Sequence, residues 1–371
     1  MSGADAPAGT FEGVRRGDGT VGVRDSVLVL PSVICSHVVA ERIAERVPNA
    51  IAAPHDHGCA QIGADADQTR RTFLALARNP NVAGTVVVGL GCEVVQSDEV
   101  AEALEEMDVP VRELSIQGAG GVDECIERGA AAAAELVDDH VADRSPSSLE
   151  DLTVGVVSSD LDESTVSEAD PLVREVVDRV VDAGGRVVVS GNERIAAHPD
   201  AARAATDGDD VEESMSALIE RHGQNPDRAT RVGRAARGMS FEDATGSWGS
   251  HPVSEVVEYG DQVGIDEGVA VVDAPSRFAE ATTGLAAAGA NLVVHITGDG
   301  VVAGHPIVPV LKVTGDADTG EALSEDIDVL ATETDADDVV DRLLEVANGD
   351  ECRAEAHGIT QFAITRVGPS M

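Results

Sequence analysis

Short, unbroken apolar runs, each leading into an amphipathic stretch, recur along this chain. The first run, SVLVLPSVI at residues 26–34, predicts a buried strand. The HVVAERIAERV stretch that follows has apolar residues at three- and four-residue spacing, which predicts a helix capped by Ser36. Strands that are apolar on both faces are typical of parallel sheets covered by helices on either side. The sequence therefore predicts an α/β fold of two doubly wound, Rossmann-like domains with largely parallel sheets.

The same alternation of apolar runs and helical patterns continues along the chain. Further strands are predicted at residues 50–53, 85–88, 111–116, 153–157, 186–190, 269–272, 291–296 and 308–313. Further helices are predicted at residues 67–78, 123–136, 171–183 and 337–347. Because ligands of doubly wound folds bind beyond the carboxyl ends of the strands, the loops after these strands are where functional residues are expected.

A polar loop divides the chain. The segment DDHVADRSPSSLED, residues 138–151, separates two series of strands and helices and is rich in turn-forming residues. We therefore expect an N-terminal extension at residues 1–24, a first α/β domain at 25–145 and a second at 150–371. A further segment, GMSFEDATGSWGSHP, has no clear period, which predicts a functional loop or a degenerate one.

The charge of the chain excludes one class of partner. Its 371 residues include 26 Lys plus Arg and 68 Asp plus Glu, which gives a formal net charge of −42. A protein with this field repels polyanions, so nucleic-acid binding by phosphate neutralisation is excluded. The acidic excess, with Lys312 as the only lysine, is typical of halophilic proteins that work in concentrated salt.

No apolar run is long enough for a membrane span, and the N-terminal MSGADAPAGT lacks a basic region followed by an apolar one. We therefore expect a cytoplasmic protein without a membrane partner. Its five cysteines, an odd number, argue against a disulfide framework. Metal ligation, nucleophilic chemistry and burial remain open for each of them, with burial favoured for Cys125 and Cys352 and Cys35 ambiguous.

The densest group of reactive side chains is PHDHGC, residues 54–59, directly after a predicted strand. Its two imidazoles, one carboxylate and one thiol, which include His55, His57 and Cys59, offer ligands for a borderline metal and a proton acceptor near neutral pH. Zinc is not favoured, because no paired CxxC and no HExxH is present. A buried cysteine or a packed histidine would explain any one of these residues alone.

A second group, GLGCE at residues 89–93, follows another predicted strand. Gly89 and Gly91 would let the backbone approach a ligand, and Cys92 and Glu93 would point into the same crevice. A tight glycine turn is the simpler explanation of this group taken alone. We expect the two strands to be neighbours, so the two loops can meet in space, and their equivalent positions favour function over packing.

A third group lies in the second predicted domain. The strand NLVVHI ends in the loop TGDG, which places His295, Gly298 and Gly300 near its carboxyl end, and Lys312 lies on the next strand. A sole lysine is either an anchor for a carboxylate substrate or an exposed residue without a role, and both remain open. The loop is not a GxxxxGK[ST] phosphate cradle, and no GxSxG is present for a Ser-His-Asp triad.

Taken as a set, these motifs resemble the main catalytic region of the altronate/galactarate dehydratase family. The resemblance is carried by VLVLPSVICS, by APHDHGCAQIG, and by NPNVAGTVVVGLGCEV, and it continues in LSIQGAGG, VVEYGD, GANLVVHITGDG and VPVLKVT. H-x-x-G-C followed by N-P-N-x-x-G and G-L-G-C-E is a long ordered pattern, and the matches span nearly the whole chain.

The resemblance implies a metal-dependent hydro-lyase, usually with Fe²⁺ and with Mn²⁺ as an alternative, that dehydrates a sugar acid to a 2-keto-3-deoxy acid. A base removes the proton beside the carboxylate, and the β-hydroxyl leaves with acid or Lewis-acid assistance. The implied metal residues are His55, Cys59 and Cys92. The candidate catalytic residues are His57, Glu93 and Lys312, and the candidate substrate-binding residues are Gly89, Gly91, His295, Gly298 and Gly300.

The chain departs from the family pattern at three places. TVGVVSSDLDEST keeps only Ser159 and Asp160 of the family's Cys-Gly-Gly-Ser-Asp-Gly loop, and RGMSFEDATGSWG replaces an Asn-Pro-Ser-Pro-Gly-Asn segment. Gly298-Asp299-Gly300 replaces Gly-Arg-Gly, so a carboxylate clamp is replaced by a group of opposite charge. These departures leave a second hypothesis open, a non-catalytic paralogue that acts as a binding or assembly subunit.

The resemblance also implies partners. Family members often carry a small β-rich domain ahead of the catalytic region, and we expect this chain to lack it and to meet it as a separate small subunit in an oligomer. Sulfite elimination from a sulfonated hydroxy acid, as by a sulfolactate sulfo-lyase large subunit, uses a similar fold and is a further alternative. The substrate in each case is a small hydroxy acid.

Overall fold

The computed structural model describes residues 9–140, 142–223 and 230–368. Its strands are β1 (Phe11–Arg15), β2 (Val21–Gly22), β3 (Ser26–Pro31), β4 (Ala50–Ala52), β5 (Val82–Gly89), β6 (Val111–Ser115), β7 (Arg144–Ser147), β8 (Thr153–Ser158), β9 (Arg186–Val189), β10 (Val253–Val257), β11 (Gly268–Val272), β12 (Leu292–Ile296), β13 (Val310–Thr314) and β14 (Val329–Leu330).

The α-helices of the described chain range from single turns to five turns. They are α1 (His37–Ala44), α2 (Ala64–Ala77), α3 (Ser97–Glu106), α4 (Ile116–Ala119), α5 (Val122–Asp139), α6 (Asp170–Asp182), α7 (Asn192–Ala197), α8 (Pro199–Ala204), α9 (Asp209–Gly223), α10 (Arg231–Ala236), α11 (Phe241–Ala244), α12 (Phe278–Ala287), α13 (Ala317–Ala322), α14 (Ala336–Ala347) and α15 (Arg353–His357).

A four-stranded parallel sheet, in the order β4-β3-β5-β6, forms the first half of the fold. Alternate residues of β3 point to opposite faces: Val27 and Val29 join the core formed with α1 and α5, while Leu28 and Leu30 join the core formed with α2 and α3. Helices therefore cover both faces. The chain reverses its winding direction between β3 and β5, which we call the first switch point.

A seven-stranded parallel sheet, in the order β10-β11-β9-β8-β12-β13-β14, forms the second half. Its winding direction reverses between β8 and β12, which we call the second switch point. The predicted class of two doubly wound, Rossmann-like units with parallel sheets is confirmed. One hydrophobic core joins Leu28 and Leu30 of the first sheet to Val157 and Val293 of the second, so the two halves pack directly together.

The small antiparallel sheet β2-β1-β7 was not predicted from the sequence. Its strands are short and interrupted by charged residues and glycine, and the edge strand β7 contains Pro146, so they lack a continuous apolar run. Phe11 is nevertheless fully buried in the core of the seven-stranded sheet. The helix α12 was also not predicted, because it is buried on nearly all sides and has no polar face.

Two asparagines of the Asn-Pro-Asn motif join the two halves. Asn79 Nδ2 donates to the carbonyls of Ala286 and Ala290, both at 2.8 Å. Asn81 is fully buried, and its Nδ2 donates to Asn291 O at 2.8 Å and to a second carbonyl of the second half at 3.1 Å. The Asn-Pro-Asn motif, part of the family resemblance, is therefore a hydrogen-bonded connection between the domains.

Within the described ranges, no helix combines the length and the apolar composition that crossing a membrane requires.

Candidate functional site

The first switch point is organised by a buried carboxylate. Glu93 lies in the loop after β5, and its Oε1 accepts a hydrogen bond from Ser32 Oγ at 2.9 Å, across the switch point. Its Oε2 accepts from the N–H groups of Gly91 and Cys92 at 2.7 and 2.8 Å, and Oε1 also accepts from Leu90 N at 3.2 Å. The carboxylate therefore holds the Cys92 loop against the end of β3.

These hydrogen bonds bear on Glu93 as a candidate base. Burial alone would raise the pKa of Glu93, but the hydrogen bonds from the loop backbone and from Ser32 outweigh it, so the pKa lies below its ordinary value. A carboxylate that is already fully hydrogen-bonded is a weak proton acceptor. In this arrangement Glu93 fixes the loop that presents Cys92.

Glycines leave the room that this arrangement needs. A Cβ on Gly89 would lie 2.4 Å from Glu93 Oε1, and one on Gly58, whose φ is +88°, would lie 2.0 Å from Ser32 O. Gly91 has a φ of +111°, which other residues rarely adopt. Gly89 and Gly91 therefore shape the loop around Glu93, while Gly58 lets the loop after β4 lie against the end of β3.

His55 and His57 are buried and hydrogen-bonded. His55 Nε2 pairs with Pro31 O at 2.6 Å, and its Nδ1 accepts from His57 N at 3.1 Å. His57 Nε2 accepts from Ile364 N at 3.2 Å, and its Nδ1 lies 3.4 Å from Gln61 Nε2. Burial lowers the pKa of His55 to about 3 and that of His57 to about 4, so both rings are neutral at pH 7. A metal ion would have to displace one of these hydrogen bonds to reach either ring.

The cysteines of this edge are exposed, and there are three of them. Cys35 follows β3, Cys59 follows β4, and Cys92 follows β5. The loops of Cys59 and Cys92 meet through a hydrogen bond from Val94 N to Gly58 O at 3.2 Å. Contrary to expectation, their strands are not neighbours, because β3 lies between β4 and β5. Cys35 lies in the loop after this middle strand.

In the three described ranges, no set of three or more His, Cys, Asp or Glu side chains is arranged to hold one metal ion. The exposed ligand side chains at this edge include the three thiols and the carboxylate of Asp56. Cys125 and Cys352 are buried, as predicted.

The second switch point is organised by another buried carboxylate. Asp160 follows β8; its Oδ2 accepts from Gly298 N at 2.8 Å, across the switch point, and its Oδ1 accepts from Thr165 Oγ1 at 2.5 Å. Its neighbour Ser159 is half-buried, and Ser159 Oγ is hydrogen-bonded to His295 Nε2. The Ser-Asp pair that remains of the family's loop therefore connects β8 to β12.

Lys312 lies beneath this edge and is fully buried, which excludes an exposed lysine without a role. Its Nζ lies 2.9 Å from His295 Nδ1, donates to Ala303 O, and sits 3.9 Å from the centroid of the Phe278 ring. Burial lowers the pKa of Lys312 to about 7 and that of His295 well below its ordinary value. Lys312 is thus held by His295 and not available at the surface.

The aspartate of the Gly298-Asp299-Gly300 loop is paired with an arginine. Asp299 Oδ2 accepts from Arg231 Nη1 at 2.6 Å, and the other terminal nitrogen of Arg231 contacts both carboxylate oxygens of Asp162 at 2.8 and 2.6 Å. Arg231 of α10 therefore forms an ion pair with Asp299, the residue that stands in place of the arginine in the family's loop. Gly300 has a φ of +70°, and a Cβ there would lie 2.4 Å from a leucine side-chain carbon.

Arg194, on α7, supports Ser159 from below and was not singled out from the sequence. Its guanidinium is fully buried and donates to the carbonyls on either side of Ser159, at 2.6 Å to Ser158 O and 3.2 Å to Asp160 O. A charged residue at the start of a helix directly after a strand was the available signal, but its burial depends on elements distant in the sequence.

Asp170 is fully buried near Arg194, and within the described part of the chain its carboxylate oxygens have no hydrogen-bond partner. Burial raises its pKa from 3.8 to about 7, opposed by the nearby arginine. Since the unfolded chain releases this proton at lower pH than the folded chain, stability is lost as pH rises from about 4 to about 7. Asp170→Asn should therefore raise the free energy of unfolding at about pH 8 by up to about 4 kcal/mol.

Urea denaturation at about pH 5 and about pH 8 measures this effect. The variant should gain more stability at the higher pH than at the lower, and the exposed helical change Asp341→Asn should gain none at either. Equal stability of wild type and Asp170→Asn at both pH values would contradict the assignment.

The C-terminal segment 359–368 connects the two switch-point edges. Ile364 N contacts His57, as above, while Gln361 N donates to Gly304 O at 2.9 Å. The Phe362 ring lies 6.0 Å from His55 and 5.5 Å from His305 between ring centroids. Buried histidines of the two halves therefore contact the same partly buried ring, which the sequence pattern gave no reason to expect.

Two known family domains match almost all of this chain. Residues 13–140 match the second domain of D-galactarate dehydratase/altronate hydrolase, and residues 149–370 match the C-terminal region of D-galactarate/altronate dehydratase. The chain belongs to the D-galactarate/altronate dehydratase family. Both switch points of this dehydratase family member, with their cysteine and Ser-Asp loops, lie inside the matched residues.

Curated relatives agree with this family. The chain is 30% identical to the (2R)-sulfolactate sulfo-lyase subunit beta of Chromohalobacter salexigens, over 96% of this chain and 97% of that subunit. It is 29% identical to the altronate dehydratase of Bacillus subtilis, over 98% of this chain and 78% of that enzyme. It is 27% identical to the altronate dehydratase of Escherichia coli, over 96% of this chain and 78% of that enzyme. These relatives support a lyase class.

Proposed function

We propose that this chain is the large subunit of a metal-dependent hydro-lyase that dehydrates an aldonate or aldarate to a 2-keto-3-deoxy acid. The observation that carries the proposal is the family match over both domains, with reactive side chains at the carboxyl ends of both sheets. Switch points of doubly wound sheets are where such folds bind ligands.

The proposed cofactor is iron. Thiolates are soft ligands that suit iron centres, whereas Mn²⁺ prefers carboxylates and water, so the donor set at this edge favours Fe²⁺ over Mn²⁺. Cys59 and Cys92 would hold it, from loops that a backbone hydrogen bond joins. Cys35 is the third exposed thiol and would replace the expected His55, both of whose nitrogens are hydrogen-bonded. Metal binding would have to draw these thiols together, since the described residues do not already form a three-ligand set. When bound, the metal would supply Lewis-acid polarisation of the hydroxy acid.

The residues of the chain have separate tasks in this proposal. Glu93 and the glycines beside it fix the cysteine loop, and neutral His57 anchors the C-terminal segment to it. Ser159, His295 and Lys312 lie at the second switch point. The segment 359–368 contacts both edges, which supports a substrate site shared by the two domains.

The proposed partner is a small β-domain subunit that covers the cysteine edge. Each exposed thiol is followed within three residues by an exposed apolar side chain: Val38 at 44%, Ile62 at 63% and Val94 at 50% of full exposure. Exposed apolar residues grouped in this way are typical of interaction surfaces. The two altronate dehydratases have lengths of chain that this match does not cover, whereas the relative named as a subunit is matched almost completely.

That difference in coverage also favours one second candidate function, sulfite elimination from sulfolactate. The test uses the full chain, purified without oxygen, loaded with Fe²⁺ and co-expressed with small β-domain proteins of the same genome. Altronate, galactarate and (2R)-sulfolactate are supplied, and 2-keto-3-deoxy acid and sulfite are measured. Keto-acid formation supports the proposal, and sulfite release from sulfolactate alone supports the second candidate. No bound metal and no turnover would instead indicate a non-catalytic binding or assembly subunit.

A further inference from the structure

Three side chains form an unbroken hydrogen-bonded series from the core to the second switch point. The parallel register pairs His295 on β12 with Lys312 on β13, so both side chains lie on the same face of the sheet. Lys312 Nζ contacts one ring nitrogen of His295, and the other nitrogen contacts Ser159 Oγ. Lys312 and His295 are fully buried, whereas Ser159 is half-buried at the carboxyl end of β8.

Lys312 lies in surroundings that a purely structural residue would not need. Within the described ranges, no carboxylate lies within ion-pairing distance of its Nζ. The titratable groups that face it are His295, Asp328, whose carboxylate accepts the backbone N–H of Lys312 at 2.8 Å, and Cys352. A buried ammonium without a counter-ion is costly, and an apolar residue would pack at lower cost.

Both protonation states of Lys312 are compatible with the hydrogen bonds. In the charged state, its three N–H groups face Ala303 O, His295 Nδ1 and the Phe278 ring. His295 then carries its proton on Nε2 and donates to Ser159 Oγ. In the neutral state, the amine lone pair accepts a hydrogen bond from Nδ1–H, and Nε2 accepts a hydrogen bond from the Ser159 hydroxyl. When each group passes one proton to the next, the direction of the hydrogen bonds reverses, the series loses one proton in total, and no heavy atom moves.

We propose that Ser159, His295 and Lys312 form a proton relay that delivers a proton to the leaving hydroxyl of a hydroxy acid bound at the second switch point. The proposal rests on the dehydratase function proposed above. The Ser159 hydroxyl gives its proton to the leaving oxygen while the C–O bond breaks and its electron pair stays on that oxygen, which departs as water. His295 Nε2 reprotonates Ser159, and Lys312 reprotonates Nδ1.

The electron pair of the broken C–H bond and the proton that the base removes are also accounted for. The base that removes the proton beside the carboxylate leaves the C–H electron pair to form the new double bond. After the product leaves, the base releases its proton to solvent and Lys312 takes up one proton from solvent, so the enzyme returns to its starting state and the net loss from the substrate is one water. Ser159 is the group that touches substrate, and His295 and Lys312 act through it.

This relay distinguishes the two eliminations considered for the family. Hydroxide is a poor leaving group and needs a proton as it departs, whereas sulfite leaves as a stable anion and needs none. A built-in acid at this switch point therefore points to substrates that lose a hydroxyl. Sulfite release from the same protein would not depend on the relay.

The sole lysine makes a direct test possible. Full-length protein that contains ¹³C,¹⁵N-lysine has a single side-chain signal, from Lys312, and ¹⁵N-histidine reports the tautomer of His295, assigned with His295→Gln. The relay predicts that Lys312 titrates near its pKa of about 7 and that the His295 proton moves from Nε2 to Nδ1 with the same midpoint. A lysine that stays charged while the His295 tautomer remains fixed would overturn the relay.

Kinetics provide the second arm. Ser159→Ala should lower kcat for dehydration by about 100-fold or more, with little change in KM. Ser167→Ala, at an exposed serine, is the matched control. Wild-type kcat should fall as pH rises through the Lys312 titration, and Lys312→Met, checked for folding by circular dichroism, should abolish that fall.

The two arms separate the two proposals. A wild-type protein that turns over no sugar acid contradicts the dehydratase function, and the spectroscopic arm still decides whether the relay transfers its proton. A Ser159→Ala enzyme that dehydrates at the wild-type rate contradicts the relay while the dehydratase function stands.

Discussion

Asn81→Ala is expected to lower the free energy of unfolding by about 4 kcal/mol or more, and to separate the two domains at lower urea concentration than any surface change. The Asn81 side chain is fully buried and satisfies four backbone groups. Its Oδ1 accepts from Val23 N and Arg24 N at 2.9 and 3.1 Å, and its Nδ2 donates to Asn291 O and Ile307 O at 2.8 and 3.1 Å. Alanine would leave these groups buried without partners, each at a cost of about 1–3 kcal/mol.

Asn348→Ala is the matched control, because Asn348 Oδ1 accepts a single exposed hydrogen bond from Glu12 N. Urea denaturation, followed by circular dichroism and by the fluorescence of the single tryptophan Trp248, measures both variants. The control should stay near wild type. If Asn81→Ala were no less stable than Asn348→Ala, the Asn-Pro-Asn motif would not be the connection between the domains.

Cys92→Ala is expected to reduce bound iron and to lower turnover by more than about 100-fold. Mutation of residues that only hydrogen-bond to metal ligands already lowers metal affinity or activity by about 10- to 100-fold, and loss of a ligand should cost more. The Cys92 thiol is exposed on a loop that Glu93 and Gly91 hold in place, so its removal should leave the loop folded. Iron and acid-labile sulfide per chain, measured on protein purified without oxygen, give the metal content independently of activity. Sulfide together with iron would identify a cluster rather than a single ion.

Cys125→Ala provides the control, because Cys125 is buried in α5 and behaves as a small apolar residue. It should keep its iron and its turnover. Cys35→Ala and Cys59→Ala should behave like Cys92→Ala if the three exposed thiols act together. A Cys92→Ala protein with full iron content would contradict the proposed thiol ligands.

The sequence predicted the sheets better than the sites. Continuous apolar runs such as TVVVG in β5 indicate strands with two covered faces, and the structure shows each predicted strand within a few residues of its expected place. Elements without a clear period were not predicted, such as α12, which is buried all round, and β7, a short edge strand with a proline. A periodic pattern arises when one face of an element is buried and the other is exposed. Neither α12 nor β7 has one continuous buried face opposite one exposed face, so neither shows the pattern.

For the site residues, the sequence likewise predicted the loops that carry them but not the direction or the partners of their side chains. His55 and Cys59 are four positions apart in one loop, yet the histidine ring faces the core and the thiol faces solvent. Ser159 and Lys312 are separated by most of the second domain, yet His295 joins them, because β12 lies between β8 and β13. Arg194 and Asp170 are buried only because elements distant in the sequence pack around them.

The sequence by itself determined the α/β class, the parallel strands, the positions of the reactive loops at strand ends, and the family resemblance. These follow from local periodicity and from ordered motifs, which depend on residues near one another in the chain. Only the tertiary structure decided which nitrogens of His55 and His57 are occupied, that Cys35 joins the cysteine edge, and that the only lysine is buried against a histidine. Strand order and burial arise from contacts between distant segments, and local sequence carries no measure of them.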